Sequence, residues 1–120
     1  MWGNALDFSE LLKICRKKNI LIIEDAAEAL GTFYKRGLNK NKHVGTIGDI
    51  GCLSFNGNKI ITTGSGGALL TKKKIYKDRI LYLAEQAKDD NVKYIHDEVG
   101  YNYRLSNLNA AFGCAQLKNL

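Results

Sequence analysis

The run Ile20-Leu21-Ile22-Ile23 constrains this chain most. Four consecutive apolar residues, bounded by polar ones, leave no wet face. They read as a central parallel strand buried on both sides. The run stops abruptly at Glu24-Asp25. A carboxylate just past a buried strand lies where open α/β sheets bind their ligands. Upstream, Phe8, Leu11, Leu12 and Cys15 repeat at helical spacing. Asp7 and Glu10 stand as a capping box at the start of that helix, and Asn19 can end it. Downstream, Ala26-Ala27-Glu28-Ala29-Leu30 reads as a short helix closed by Gly31. On such a helix Asp25 and Glu28 face the same way.

Residues 32–42 read as a turn-rich excursion, with a small hairpin around Arg36-Gly37. Gly45, Gly48 and Gly51 follow at a spacing of three. Residues 50–55 form a second candidate strand, ended by the turn signal Asn56-Gly57-Asn58. Ile60-Ile61-Thr62-Thr63 is β-branched and favours extended backbone. Gly64-Ser65-Gly66-Gly67 breaks it, and Ala68-Leu69-Leu70-Thr71 resumes a strand. A helix is predicted over residues 73–87, a loop over 89–99, and a last helix capped by Ser106. Leu108, Ala111, Phe112 and Ala115 are the expected inward face of that helix. This order of elements points to an α/β layer.

The 120 residues match the size of one domain. No window approaches the roughly 20 apolar residues of a membrane span. The start Met1-Trp2-Gly3-Asn4-Ala5-Leu6-Asp7 lacks the basic and apolar regions of a secretory signal, so a cytoplasmic protein is expected. Cys15, Cys52 and Cys114 are far apart and form no C-x-x-C pair. They read as reduced, buried thiols, and no metal is expected. Lysine and arginine exceed aspartate and glutamate by 18 to 12, a net charge of +6. The basic residues cluster at 35–43 and 72–79, without the interleaved aromatics of a single-strand binding platform. They read as solvated surface, with a nucleic-acid patch as the competing reading.

Three features could carry chemistry. Gly64-Ser65-Gly66-Gly67 could cradle a phosphate, but a strand follows it where a phosphate loop needs a helix, so a tight turn is the alternative. Asp25 and Glu28 could act as acid and base, or form a solvated helical turn. Asp25, at the end of an apolar strand, would need a cationic partner such as a protonated ring nitrogen. Lys59 stands between Asn58 and four β-branched residues. A desolvated lysine is an amine nucleophile for Schiff bases, and an ordinary surface lysine is the competing reading.

Taken in order, the segments 22–31, 48–67 and 100–106 resemble the DegT/DnrJ/StrS family of pyridoxal-phosphate-dependent sugar aminotransferases. The form Ser54-Phe55-Asn56-Gly57-Asn58-Lys59 is similar to bacterial enzymes that aminate C4 of nucleotide-linked 4-keto-6-deoxy sugars. The resemblance implies part of the large-domain mixed sheet, with flanking helices, of the aspartate-aminotransferase-like fold. It implies that Lys59 carries pyridoxal 5'-phosphate as a Schiff base and shuttles a proton. Asp25 would pair with the pyridinium nitrogen and keep the ring an electron sink. Glu28 would sit near the ring O3′, where many relatives have Gln or His, and Ser54 would bond the phosphate. Asn102 would reach the phosphate from a partner subunit, implying a homodimer, and Arg104 would line that shared site. Glutamate would be the amino donor and a nucleotide sugar the acceptor, with neither nucleic acid nor membrane as partner.

Ser65 departs from the family, many of whose members have Glu there. Family members are also longer. Residues 1–120 would be the central portion of the cofactor-binding large domain, without its N-terminal part or the small C-terminal domain. A non-catalytic remnant that contributes only packing surface is the alternative.

Overall fold

A computed structural model of the chain describes residues 2–90 and 92–120. Met1, the first of the residues read for a secretory signal, and Asn91, in the stretch read as loop, lie outside the described residues.

Helix α1 spans Ser9–Lys17 and buries Leu12 and Cys15. The expected capping box does not form. The Asp7 carboxylate accepts from the Ser9 amide (3.0 Å) and hydroxyl (2.6 Å), one position too early to cap the helix. Phe8 is the residue at the cap, and Glu10 turns instead to Lys13 at 2.6 Å. The far end follows the sequence. Asn19 takes a left-handed φ of 54°, its amide donates to the Arg16 carbonyl, and the Ile20 amide donates to the Cys15 carbonyl at 2.8 Å. This is a Schellman closure. Because Ile20 closes α1, it cannot open the strand.

Strand β1 is therefore Ile23–Asp25, later than the apolar run predicts. It pairs in parallel with β2, Ile50–Ser54, in the register Ile23↔Ile50 and Asp25↔Cys52. Strand β3, Gly67–Leu70, pairs antiparallel with β2, Ser54 opposite Gly67. The sheet is thus mixed, in the order β1-β2-β3. The parallel pairing agrees with the sequence, but burial on both faces does not. Among the described residues β1 is an edge strand, and Ile23 is 67% exposed.

Alternation along the strands divides the sheet into two faces. Glu24, Gly51, Leu53, Ala68 and Leu70 share the covered face. There Ala26, Ala29, Tyr34 and Val44 form the core, packed against Phe8, Ile47 and Leu53. Gly51 has no room for a side chain, since a Cβ would stand 1.9 Å from the Gly45 carbonyl oxygen. The loop before β2 lies directly on the sheet for that reason. Ile23, Asp25, Cys52, Ser54 and Leu69 share the opposite, open face.

Residues 26–31 do not form the predicted helix. The Ala29 amide donates to Ala26 and the Thr32 amide to Ala29, both at 2.9 Å, giving two successive turns. Asp25 contributes by accepting from the Ala27 amide at 3.1 Å, a local bond that competes with helix. The excursion that follows is hairpin-like, as expected, with Phe33 bridged to His43.

Helix α2 spans Lys74–Ala84 and has no fully buried residue. A small irregular hairpin, β4 (Lys88–Asp90) with β5 (Ile95–His96), replaces part of the predicted loop. Helix α3 spans Asn107–Leu117, and Ser106 caps it by accepting from the Asn109 amide at 3.2 Å. Its orientation reverses the expectation. Leu108 (81%) and Phe112 (69%) face outward, and Ala111 and Ala115 are exposed with them. Asn109 and Gln116 bond instead to the backbone of Thr63 and Thr62, and Gly113 is buried against Thr63. The polar stripe docks because the irregular 62–63 backbone has no strand partner among the described residues and needs donors and acceptors.

Candidate functional site

Of the predicted site residues, Glu28 and Lys59 meet each other, and Asp25 and Ser54 stand at the carboxyl ends of β1 and β2. Asp25 ends β1 on the open face. Ser54 ends β2 on that face, and its hydroxyl takes only a long bond of 3.5 Å from the Asn56 amide. Glu28 lies in the turns after β1, and its carboxylate pairs with the Lys59 amine. The Lys59 side chain is 11% exposed, so it is a shielded amine rather than an ordinary surface lysine. Beside them, burial first, and then the Asp25 charge, push the Cys52 thiol above its ordinary pKa.

The structure does not bring Asn102 and Arg104 into this cluster. The Asn102 backbone bridges to Glu85 just past α2, and Arg104 pairs with the Glu85 carboxylate at 3.0 Å. Both are exposed. Arg104 lines a groove with Ser65, Gly66, Tyr103 and Ser106. Gly64-Ser65-Gly66 is a turn leading into β3, as the tight-turn reading expects.

The basic cluster at 72–79 is largely satisfied within the chain. Lys73 pairs with Asp49 at 2.6 Å, Lys74 with Asp78, and Arg79 with Glu98. Of the cysteines, Cys15 is buried, Cys52 is half-buried and Cys114 is exposed, so the buried-thiol expectation fails at Cys114. It lies on the side of α3 that faces away from the core.

Sequence reasoning missed two carboxylates that position the site. Glu24 is buried, and it accepts from the amides of Gly45 (2.9 Å), Ile47 (2.6 Å) and Gly48 (2.6 Å). Strand alternation from Asp25, with the glycine-rich loop at 45–51, was the available signal. Asp49 accepts from the Ile22 amide at 2.9 Å and from Lys73, tying the entry of β2 to that of β1. The Lys73 bond and then the Ile22 amide hold its carboxyl below the ordinary pKa. A depressed folded value means the stabilisation is present above the unfolded value and is lost as pH falls through the folded one. The protection of the Ile22 amide, its exchange rate relative to the intrinsic rate at the same pH, is therefore expected to fall below about pH 4. In Asp49→Asn that acid-dependent step should vanish.

The mixed sheet with its helices is an α/β layer, and residues 1–120 match the DegT/DnrJ/EryC1/StrS aminotransferase family throughout. The chain belongs to that family. It is 43% identical over 118 residues to a GDP-perosamine synthase of Escherichia coli O157:H7, covering 98% of this chain and 31% of the relative. It is 44% identical over 120 residues to EpsN of Bacillus subtilis (strain 168), provisionally described as a pyridoxal phosphate-dependent aminotransferase, covering 100% and 30%. Among solved structures, an aminotransferase from Psychrobacter cryohalolentis superposes with a TM-score of 0.84 at 30% identity, covering 99% of this chain and 32% of that one. The expected aminotransferase-like α/β fold is borne out. The chain spans about a third of the length of these relatives. No helix among the described residues is long and apolar enough to cross a membrane.

Proposed function

We propose that residues 1–120 are the central portion of the cofactor-binding large domain of a pyridoxal-phosphate-dependent sugar aminotransferase. The enzyme would work in the cytoplasm as a homodimer. It would move an amino group from glutamate to a keto carbon of a nucleotide-linked deoxy sugar, for surface polysaccharide or glycan synthesis. The GDP-perosamine synthase relative supports the substrate class. The observation that carries the reading is the shielded Lys59 amine, beside Glu28 and at the strand ends that present Asp25 and Ser54.

These residues fit the group chemically. Lys59 would hold the aldehyde carbon covalently, Asp25 the ring nitrogen and Ser54 the phosphate. Bound pyridoxal phosphate supplies an electron sink for the pair released when a carbon beside the nitrogen loses its proton. The Lys59 amine is the base that would take and return that proton. Asp25, a carboxylate on an open sheet face, gains the cationic partner it lacks among the described residues. Asn102 and Arg104 are exposed past α2, which suits residues that serve a second subunit's site.

The test is to add pyridoxal phosphate to the 120-residue chain in dilute solution, reduce with borohydride and map the adduct by mass spectrometry. A label at Lys59, lost in Lys59→Ala, is the expected result. A label at another lysine would overturn the site, and no label would favour the packing remnant.

A further inference from the structure

We infer that Glu28 masks Lys59, so that the amine becomes a nucleophile only when an incoming aldehyde ligand displaces that carboxylate. The inference rests on the reading of Lys59 as the cofactor lysine, and it concerns what the amine does before the cofactor arrives. Three observations carry it. The Lys59 side chain is almost wholly shielded, and its amine meets the Glu28 carboxylate. Glu28 is on the outside of that contact, half exposed, so it can swing into water without opening the core. The turns at 26–31 place it there, with Ala29 anchored in the core on one side and Asp25 held to the Ala27 amide on the other.

Attack on an aldehyde requires the nitrogen lone pair. The Glu28 carboxylate occupies the side from which a carbonyl carbon would have to approach the Lys59 nitrogen. For reaction, the third proton of the ammonium must leave to solvent and Glu28 must move aside. The nitrogen then bonds to the carbonyl carbon, and the oxygen departs as water. A ligand that brings its own carboxylate or phosphate meets the negative charge of Glu28 at the same place. Masking therefore slows capture of anionic aldehydes most.

Reductive methylation reads the amine without any cofactor. The 120-residue chain is treated with limiting formaldehyde and borane, and each lysine is quantified by peptide mapping. Lys59 of Glu28→Gln is expected to react about fivefold faster than Lys59 of the unaltered chain. The exposed Lys72 and Lys77 in the same digest should not change. Raising the salt concentration should speed Lys59 in the unaltered chain, because the pair is partly open to solvent, and should leave Glu28→Gln unaffected. Equal rates in the two chains, or slower reaction in Glu28→Gln, would overturn the masking. Pyridoxal phosphate with borohydride is the second arm. If formaldehyde shows the acceleration and pyridoxal phosphate attaches to Lys59 in neither chain, the masking stands and the cofactor reading fails. If pyridoxal phosphate attaches equally fast in both, the cofactor reading stands and the masking fails.

Discussion

At micromolar concentration the 120-residue chain is expected to sediment as species larger than a monomer, bind a hydrophobic dye and melt over a broad temperature range. The core explains this. Its buried apolar residues include Ala26, Ala29 and Ala87, and among the described residues no large side chain is fully enclosed. The radius of gyration is 16.5 Å, against about 14 Å for a compact domain of this length. Outside the core stand Ile20, Leu21 and Ile23 beside the unpaired edge of β1, and Leu108 and Phe112 along α3. An exposed apolar edge strand pairs with other chains unless it is charged, bulged or covered. Asp25 is the one charge β1 turns outward, and the apolar residues 20–23 that lead to it carry none. Burial on the order of 25 cal/mol per Å² of apolar surface then favours contact between copies. A monomer in velocity sedimentation, with one sharp unfolding transition, would contradict this expectation.

The same exposed surfaces show where the sequence could be read and where it could not. Strands β2 and β3, the Ser106 cap and the Asn19 closure depend on near neighbours, and local residue chemistry announces them. The apolar run at 20–23 also announced a strand, but not its place at the edge. That depends on what lies beside it. The inward face of α3 was misread because a helix shows only which side is apolar, not which side meets this portion of the chain. Asn109 and Gln116 met the unpaired backbone at 62–63, and the apolar stripe was left outside. Asp25 and Glu28 were expected to converge through a helix. Two turns replace that helix, with the Asp25 carboxylate bonded to the Ala27 amide, and Glu28 meets Lys59. Lys59 illustrates the limit of local reading. Its neighbours in sequence could not decide between a nucleophile and a surface lysine, whereas the contact with Glu28, 31 residues away, shows a shielded amine.

Replacing Glu24 by alanine is expected to remove about 3 kcal/mol or more from the region around β1 and β2. The substitution leaves the Gly45, Ile47 and Gly48 amides without their acceptor in a buried place. Hydrogen exchange at those amides should rise sharply. Glu24→Gln should be intermediate, since one amide oxygen cannot accept what two carboxylate oxygens do, and its NH₂ group would face other donors. The consequence reaches the site because the loop at 45–48 leads through Asp49 into β2. Glu24 holds that loop from the covered face of β1, and Asp25 is the next residue on the open face. Loosening the loop loosens the register that sets Cys52 opposite Asp25. In the intact chain burial and then the Asp25 charge hold the Cys52 thiol above its ordinary pKa. Lower burial in Glu24→Ala brings that value down, raises the thiolate fraction at a given pH and speeds alkylation of Cys52. Faster alkylation together with faster exchange at Gly45 and Gly48 is the expected pair of results. Faster exchange with unchanged Cys52 reactivity would show that the register of β1 on β2 survives without the clamp, and that Asp25 is positioned by the strand pairing alone.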